Sequence, residues 1–98
     1  MTFTAFLEMR LVPETVDAAL PVIHEMLKGT RSFPGNVGLD VWIDKDDPAH
    51  LILIETWESE EADTAYRLWR REGAGAAPEV AQFVAAKPVL TFVSLSEV

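Results

Sequence analysis

Apolar and polar residues alternate along two parts of the chain, and this pattern predicts β-strands. From Thr2 to Val12 every second residue is apolar, and the same period returns from Val37 to Asp44. Side chains of a strand point alternately to its two faces, so a period of two is typical of a strand. The segment from His50 to Trp57 contains the continuous apolar run 51–54, which is typical of a central strand covered on both faces. A fourth strand is predicted from Val89 to Leu95.

Between the first two strands, apolar residues recur at helical spacing. The predicted helix begins at Pro13-Glu14-Thr15 and gives way to a loop from Gly29 to Gly35. Pro21 is expected to kink it, because proline lacks the N–H that the helix would use. The apolar face of this helix consists of Val16, Ala19, Leu20, Ile23 and Leu27.

A second helical segment follows the third strand. Ser59 is a favourable N-cap for it, and the glycines from Gly73 onward end it. Pro78 then starts a short third helix. The polar residues 45–48 are expected to connect the second and third strands as a hairpin loop. The buried face of the second helix is predicted to consist of Ala62, Ala65, Tyr66 and Trp69.

The order of these elements predicts an α+β protein with a ferredoxin-like βαββαβ fold. In this arrangement the helices cover one face of a four-stranded antiparallel sheet. Because the strands carry apolar residues on both sides, the second sheet face would remain uncovered in a monomer. We therefore expect a homodimer formed through this open sheet face. The residues expected there are Val41, Ile52, Ile54 and Phe92.

Composition narrows the function further. The 98 residues fit a single domain spanning 1–98, and the 16 acidic residues outnumber the 8 basic ones, for a formal charge of −8. This balance argues against nucleic acid or an anionic membrane as a partner. Without cysteine, the chain has no disulfide, thiol nucleophile or thiolate metal site. With neither a signal-like start nor an apolar stretch of about 18 residues, we expect a cytoplasmic protein.

Three ordered segments carry a resemblance to a known family. They are Pro34-Gly35 leading into 36–41, Asp46-Asp47-Pro48 in the hairpin, and Glu55-Thr56-Trp57-Glu58-Ser59 running into the second helix. In this order and spacing the chain resembles the antibiotic biosynthesis monooxygenase (ABM) superfamily over nearly its whole length. The resemblance implies a dimeric α/β barrel, in which two sheets lie face to face. Each subunit is then expected to hold a pocket between its sheet and its helices.

The activities within that family differ. Some members make quinones from anthrone-type polyketide intermediates without metal or flavin, whereas others degrade haem or isomerise small molecules. Many members carry histidine nine residues after the tryptophan, and here that position is Tyr66. The haem-degrading branch uses an asparagine on the first strand and a histidine on the second helix. Neither occurs in residues 2–12 or 58–72, so haem degradation is disfavoured.

The third strand supplies the first candidate site residues. Glu55, Trp57 and Leu53 share one strand face because they are two residues apart. Glu55 is a candidate catalytic base for a phenol or enol. Alternatively, it forms an ion pair with Arg10, Arg67 or Arg70 that ties sheet to helix. Trp57, beside Leu53, is a candidate for stacking on a planar substrate, or it packs the pocket floor.

The helices supply the remaining candidates. The Tyr66 hydroxyl can bond a substrate oxygen, and Arg70, four residues later, can hold an anionic oxygen. His24 is a candidate proton acceptor, or else a half-exposed side chain at the edge of the first helix. His50 is expected to be a strand-end surface residue. With these two separated histidines the chain has no recognisable metal-ligand spacing, so no metal and no cofactor are expected.

These residues leave three functions open. The first is a cofactor-independent monooxygenase that oxidises a small aromatic or polyketide-like (anthrone-type) substrate with O2, in which the anion of the substrate itself reduces O2. The second is an isomerase or lyase that uses the same base without oxygen. The third is a non-catalytic dimer that binds a small molecule. Dependence of turnover on O2 separates the first two, and turnover itself separates both from the third.

Overall fold

Four strands form one antiparallel sheet in the order β2-β3-β1-β4. The computed structural model describes residues 2–98. The strands are β1 (Phe3–Arg10), β2 (Asn36–Asp44), β3 (Asp47–Trp57) and β4 (Val89–Val93). With the helices in sequence between them, this is the predicted ferredoxin-like βαββαβ arrangement. Within one chain the sheet is open, with β2 and β4 at its edges, and it does not close into a barrel.

The helical elements are a 3-10 turn (Pro13–Thr15), α1 (Val16–Ser32), α2 (Glu60–Glu72) and the short α3 (Pro78–Ala81). None of the helices within residues 2–98 is long and apolar enough to cross a membrane. The cap predicted for α2 is present, because the Ser59 hydroxyl accepts a hydrogen bond from the Ala62 N–H (3.2 Å). This bond satisfies one of the free N–H groups of the first turn.

Helix α1 is longer than predicted, since Gly29 lies inside it and the helix continues to Ser32. The glycine serves close packing here. A Cβ at Gly29 would lie 3.1 Å from the indole of Trp69 on α2, so its small size lets the two helices approach. The helix also runs through Pro21 without interruption.

The hairpin between β2 and β3 is tighter than predicted. Strand β3 begins at Asp47 instead of His50, so the connection shrinks to the two-residue turn 45–46. The Asp46 N–H donates to Asp44 Oδ1 (2.9 Å), which satisfies a backbone group of the turn.

The core lies between the helices and one sheet face. The side chains of β1 and β3 on this face pair across the strands, as Met9 opposite Leu51 and Leu7 opposite Leu53. Helix α1 covers them with its own apolar face, from which Ala19, Ile23 and Leu27 are buried. The predicted apolar face of this helix is therefore its packed face.

The other sheet face, which we call the open face, carries no helix. Its apolar side chains are Phe6, Trp42, Ile52, Ile54, Val89 and Val93. Trp42 is 60% exposed, and Ile52 and Ile54 are half-buried. An apolar surface of this kind is uncommon on a monomer.

Two residues predicted for the open face lie on the helix-side face. Val41 pairs with Leu53, and Phe92 pairs with Ala5, and both of these partners point into the core. Strand alternation therefore places Val41 and Phe92 on the helix side, next to the edges of the sheet. Both remain partly exposed there.

Candidate functional site

A cavity of about 670 Å³ lies between the sheet and the helices. Strands β1 and β3 form its floor, α1 and α2 form two walls, and the segment 77–88 closes another side. A volume of this size suits a small organic molecule. Most of its lining is apolar, from Leu7, Met9, Met26, Leu27, Leu53, Val80 and Val84.

Glu55 brings a carboxylate to this apolar floor and is only 1% exposed. The Arg67 Nη2 group donates to its Oε1 atom and also to Asp63 Oδ1 (3.0 Å), and Asp63 is 2% exposed. Trp57 Nε1–H donates to the same Glu55 oxygen (3.3 Å). Two buried carboxyl groups therefore share one guanidinium. Of the three arginines considered as ion-pair partners for Glu55, Arg67 is the one that occupies this position.

Tyr66 and Arg70 form the polar part of the wall that α2 contributes to this cavity. Arg70 Nε–H donates to the Tyr66 hydroxyl (2.9 Å), and its Nη2 donates to Thr30 Oγ1 (2.9 Å). The hydroxyls of Thr30 and Tyr66 lie 2.7 Å apart, so one donates to the other. These bonds join α2 to α1 and fix the position of the phenol oxygen.

The sequence prediction for the buried face of α2 is right for Tyr66 and wrong for Ala65, while Ala62 and Trp69 are half-buried. Ala65 is exposed, and the buried residues of this helix are Asp63 and Tyr66. Polar side chains at 63, 67 and 70 occupy the packed side because each finds a buried partner. Asp63 and Thr30 were missed as site residues. The signal that pointed to Asp63 is its spacing of four from Arg67, which is typical of an acid–base pair on one helix face.

Trp57 is 0% exposed and does not line the cavity. Its ring lies 4.7 Å from that of Tyr66 and makes an edge contact with Phe33 at 6.1 Å, measured between ring centroids. The indole therefore lies within an aromatic cluster and is closed to solvent. Direct stacking of Trp57 on a substrate is therefore incompatible with this arrangement, and its contact with the site is the hydrogen bond to Glu55.

His24 does not join the other candidate residues. It is exposed and lies beside a smaller hollow of about 280 Å³ between α1 and β2, lined by Ile23, Arg31 and Val41 among others. Leu53, by contrast, lies in the floor of the main cavity next to Glu55. The structure thus brings Leu53, Glu55, Tyr66 and Arg70 together and leaves His24 and Trp57 outside.

A second polar cluster lies at the end of the open face. His50, expected at the surface, is only 8% exposed. Its Nδ1 atom is 2.9 Å from Asp44 Oδ2, and its Nε2 atom is 3.1 Å from Glu8 Oε1. The hydrogen bond with Asp44 is the main cause that raises the pKa of His50, and it lowers the pKa of Asp44. Within residues 2–98, no group of three or more acidic or histidine side chains is placed to hold one metal ion.

The comparisons with known proteins agree with this architecture. The family model described as antibiotic biosynthesis monooxygenase matches residues 2–85. No curated protein matches the chain in sequence.

Similar solved structures include a crystal structure of an antibiotic biosynthesis monooxygenase, with 22% identity and a TM-score of 0.81 over 98% of this chain and 99% of that one. The structure of Rv0793 from Mycobacterium tuberculosis has 16% identity and a TM-score of 0.78 over 99% and 97%. A conserved protein from Methanosarcina mazei has 14% identity and a TM-score of 0.78 over 95% and 91%. At these identities the structures show a shared fold, and the family model shows the family. The chain belongs to the antibiotic biosynthesis monooxygenase family.

Proposed function

We propose that this protein is a cofactor-independent monooxygenase that oxidises a small aromatic, anthrone-type molecule with O2. The observation that carries this proposal is the cavity itself. It is apolar over most of its surface, and its polar groups are concentrated in Glu55, Tyr66, Arg67 and Arg70. Such a site offers an aromatic molecule a dry binding surface with an acid–base group and hydrogen-bond donors nearby.

Glu55 is proposed to remove the proton. Its Oε1 atom is fixed by Arg67 and Trp57, so the carboxylate is held in one orientation. The cluster has two carboxyl groups for one guanidinium. It can therefore accept one proton and still leave Arg67 with an ionised acid partner. A positioned base of this kind typically contributes about 10²–10⁴-fold to a rate.

Tyr66 is proposed to stabilise the resulting anion, and Arg70, which donates to its hydroxyl, holds the phenol in place. When Thr30 donates to the Tyr66 oxygen, the phenolic hydrogen is free to donate to the substrate oxygen. The electron-rich anion then passes one electron to O2, and the two radicals combine to a peroxide. Glu55 returns its proton to the peroxide, and the hydroperoxide loses water as its carbon gives up the remaining hydrogen and the O–O bond breaks. One anthrone and one O2 thus yield one anthraquinone and one H2O, and Glu55 is again a carboxylate.

We also propose that the working form is a homodimer joined through the open face. The support is the uncovered apolar surface centred on Trp42, Ile52 and Ile54. A symmetric pair would cover this surface on both copies at once. Trp42→Asp is expected to give monomers in light scattering after size exclusion. The matched control is Leu68→Asp, which changes an apolar side chain 46% exposed on α2 and should leave the dimer intact.

The oxygenase is tested by oxygen uptake with dithranol, a dihydroxyanthrone, above its spontaneous rate. Glu55→Gln keeps the shape of the side chain and removes the base, so uptake should fall about 100-fold or more. Glu14→Gln, an exposed acid in the 3-10 turn, is the control and should retain full uptake.

Three outcomes separate the functions. Protein-dependent uptake that Glu55→Gln abolishes supports the oxygenase. Conversion of dithranol that proceeds equally without O2 supports an isomerase or lyase instead. Binding without any conversion supports a non-catalytic binding dimer. Uptake that persists unchanged in Glu55→Gln refutes the role given to this carboxylate.

A further inference from the structure

The charge distribution around the cavity is opposite to that of the whole chain. Acidic residues outnumber basic ones by 16 to 8, and most basic side chains lie beside a carboxylate. Within residues 2–98, the basic side chains with no carboxylate oxygen within 4.0 Å are Arg31, Arg70 and Lys87. In so acidic a protein, basic groups without a counterion are unexpected.

Two of these three unpaired cations line the same cavity. Arg70 and Lys87 both contribute to its wall, together with Arg67. The acidic residue in the described lining is Glu55, and it is already bonded to Arg67. Asp63, just behind the lining, is the second acid bonded to Arg67, so three cations stand against two carboxylates. The cavity wall therefore has an excess of positive charge, although the formal charge of the chain is −8.

The bonding of Arg70 does not neutralise its charge. The guanidinium donates to the Tyr66 hydroxyl, to Thr30 Oγ1, and to the backbone oxygens of Met26 (2.9 Å) and Gly75 (3.0 Å). All four acceptors are neutral. A guanidinium has five N–H groups, so one on Nη1 remains available after these bonds. A partly buried charge without a counterion is costly, and an anionic ligand would offset that cost.

We infer that the ligand of this cavity is an aromatic carboxylic acid, bound as the anion. The apolar lining takes the rings, Arg70 engages the carboxylate, and the exposed Lys87 attracts it to the cavity. This inference rests on the proposed function, because it concerns the same cavity, and it narrows the substrate class to acidic aromatic molecules.

The test compares two ligands of the same ring and similar shape, one with an anionic and one with a neutral substituent. Naphthalene-2-carboxylate and naphthalene-2-carboxamide have the same ring, and their binding is measured by calorimetry at pH 7. Charge-assisted hydrogen bonds are worth more than neutral ones, so the carboxylate should bind about tenfold more tightly. Rising salt concentration should weaken binding of the carboxylate and leave the affinity for the carboxamide unchanged.

Variants of the basic residues identify which side chains cause the preference for the carboxylate. Arg70→Gln should remove the preference of the cavity for the carboxylate over the carboxamide. Arg70 also joins α1 to α2, so Lys87→Gln serves as a second variant that keeps these contacts. It should weaken carboxylate binding by a few-fold. Lys45→Gln makes the same charge change on the exposed β2–β3 turn and should have no effect.

Several results would overturn the inference. They are equal or tighter binding of the carboxamide, no binding of either compound, or an equal loss from Lys45→Gln and Lys87→Gln. Dithranol uptake is measured on the same preparations. If dithranol-dependent oxygen uptake occurs but the carboxylate binds no more tightly than the carboxamide, the proposed oxygenase stands and the inference of an anionic ligand is refuted. If the carboxylate binds more tightly but no oxygen uptake occurs, the anionic-ligand inference stands and the proposed oxygenase is refuted.

Discussion

Replacing Arg67 tests the energetic role of the buried charges directly. In Arg67→Met the apolar stem of the side chain is retained, and the guanidinium is lost. The carboxyl groups of Glu55 and Asp63, exposed by 1% and 2%, then have no cationic partner. Leaving buried charges unpaired typically costs about 3–5 kcal/mol. A small domain has a free energy of unfolding of about 5–15 kcal/mol, so the loss is a large fraction of the total.

The assay is urea unfolding followed by circular dichroism at pH 7. All variants are compared at one protein concentration, because association would make stability concentration-dependent. Arg71→Met is the matched control from the next position of the same helix. Arg71 pairs with Glu72 at 3.8 Å, and both side chains are well exposed, so this change should cost less than about 1 kcal/mol.

A rescue experiment separates charge from packing. Adding Glu55→Gln and Asp63→Asn to Arg67→Met removes the uncompensated charges and should recover most of the lost stability. If Arg67→Met costs no more than Arg71→Met, the reasoning about the buried cluster is wrong. If the triple variant is as unstable as Arg67→Met alone, lost packing and not charge explains the effect.

Three further predictions concern packing, hydrogen bonding and pH. A Cβ at Gly75 would lie 2.3 Å from the Trp69 indole, so Gly75→Ala should lower the free energy of unfolding by about 1–3 kcal/mol, measured with urea. Tyr66→Phe removes a hydroxyl with two buried hydrogen bonds and should cost about 1–2 kcal/mol in the same assay. Because Asp44 raises the pKa of His50, their bond stabilises the fold fully below pH 6.5, and this contribution disappears as pH rises through the raised pKa. The contribution of this bond is also lost as pH falls below about 3.8, through the lowered pKa of Asp44. In thermal unfolding curves measured across pH, His50→Gln should flatten both changes in stability. A pH profile unchanged by His50→Gln would contradict this reasoning.

The fold could be predicted from the sequence because its signals are local. Alternation along β1 and β2, the Ser59 cap, and Pro13 and Pro78 at helix starts each fix one element without reference to the rest of the chain. The order of the elements then leaves few topologies. The errors occur where local signals compete with packing. Glycine typically ends a helix, whereas Gly29 lies inside α1, where the lack of a side chain makes room for the indole of Trp69.

The site was less predictable, because burial depends on partners from distant parts of the chain. The strand period correctly placed Glu55 and Trp57 on one face. It could not show that the indole lies within an aromatic cluster and is closed to solvent. The apolar pattern of α2 also predicted its buried face incompletely, because a prediction from hydropathy assumes that charged side chains face solvent. Asp63 is buried because Arg67 neutralises it, which hydropathy does not record.

The differing environments of the tryptophans give the chain intrinsic spectroscopic reporters. Trp57 is 0% exposed inside an aromatic cluster, and Trp42 is 60% exposed on the open face. An enclosed indole emits at shorter wavelength and is inaccessible to a quencher such as iodide, whereas an exposed one is readily quenched. Trp69 lies beside Arg70, 4.7 Å from its guanidinium carbon. Emission can therefore follow the core, the uncovered sheet and the surroundings of the cavity without an attached dye.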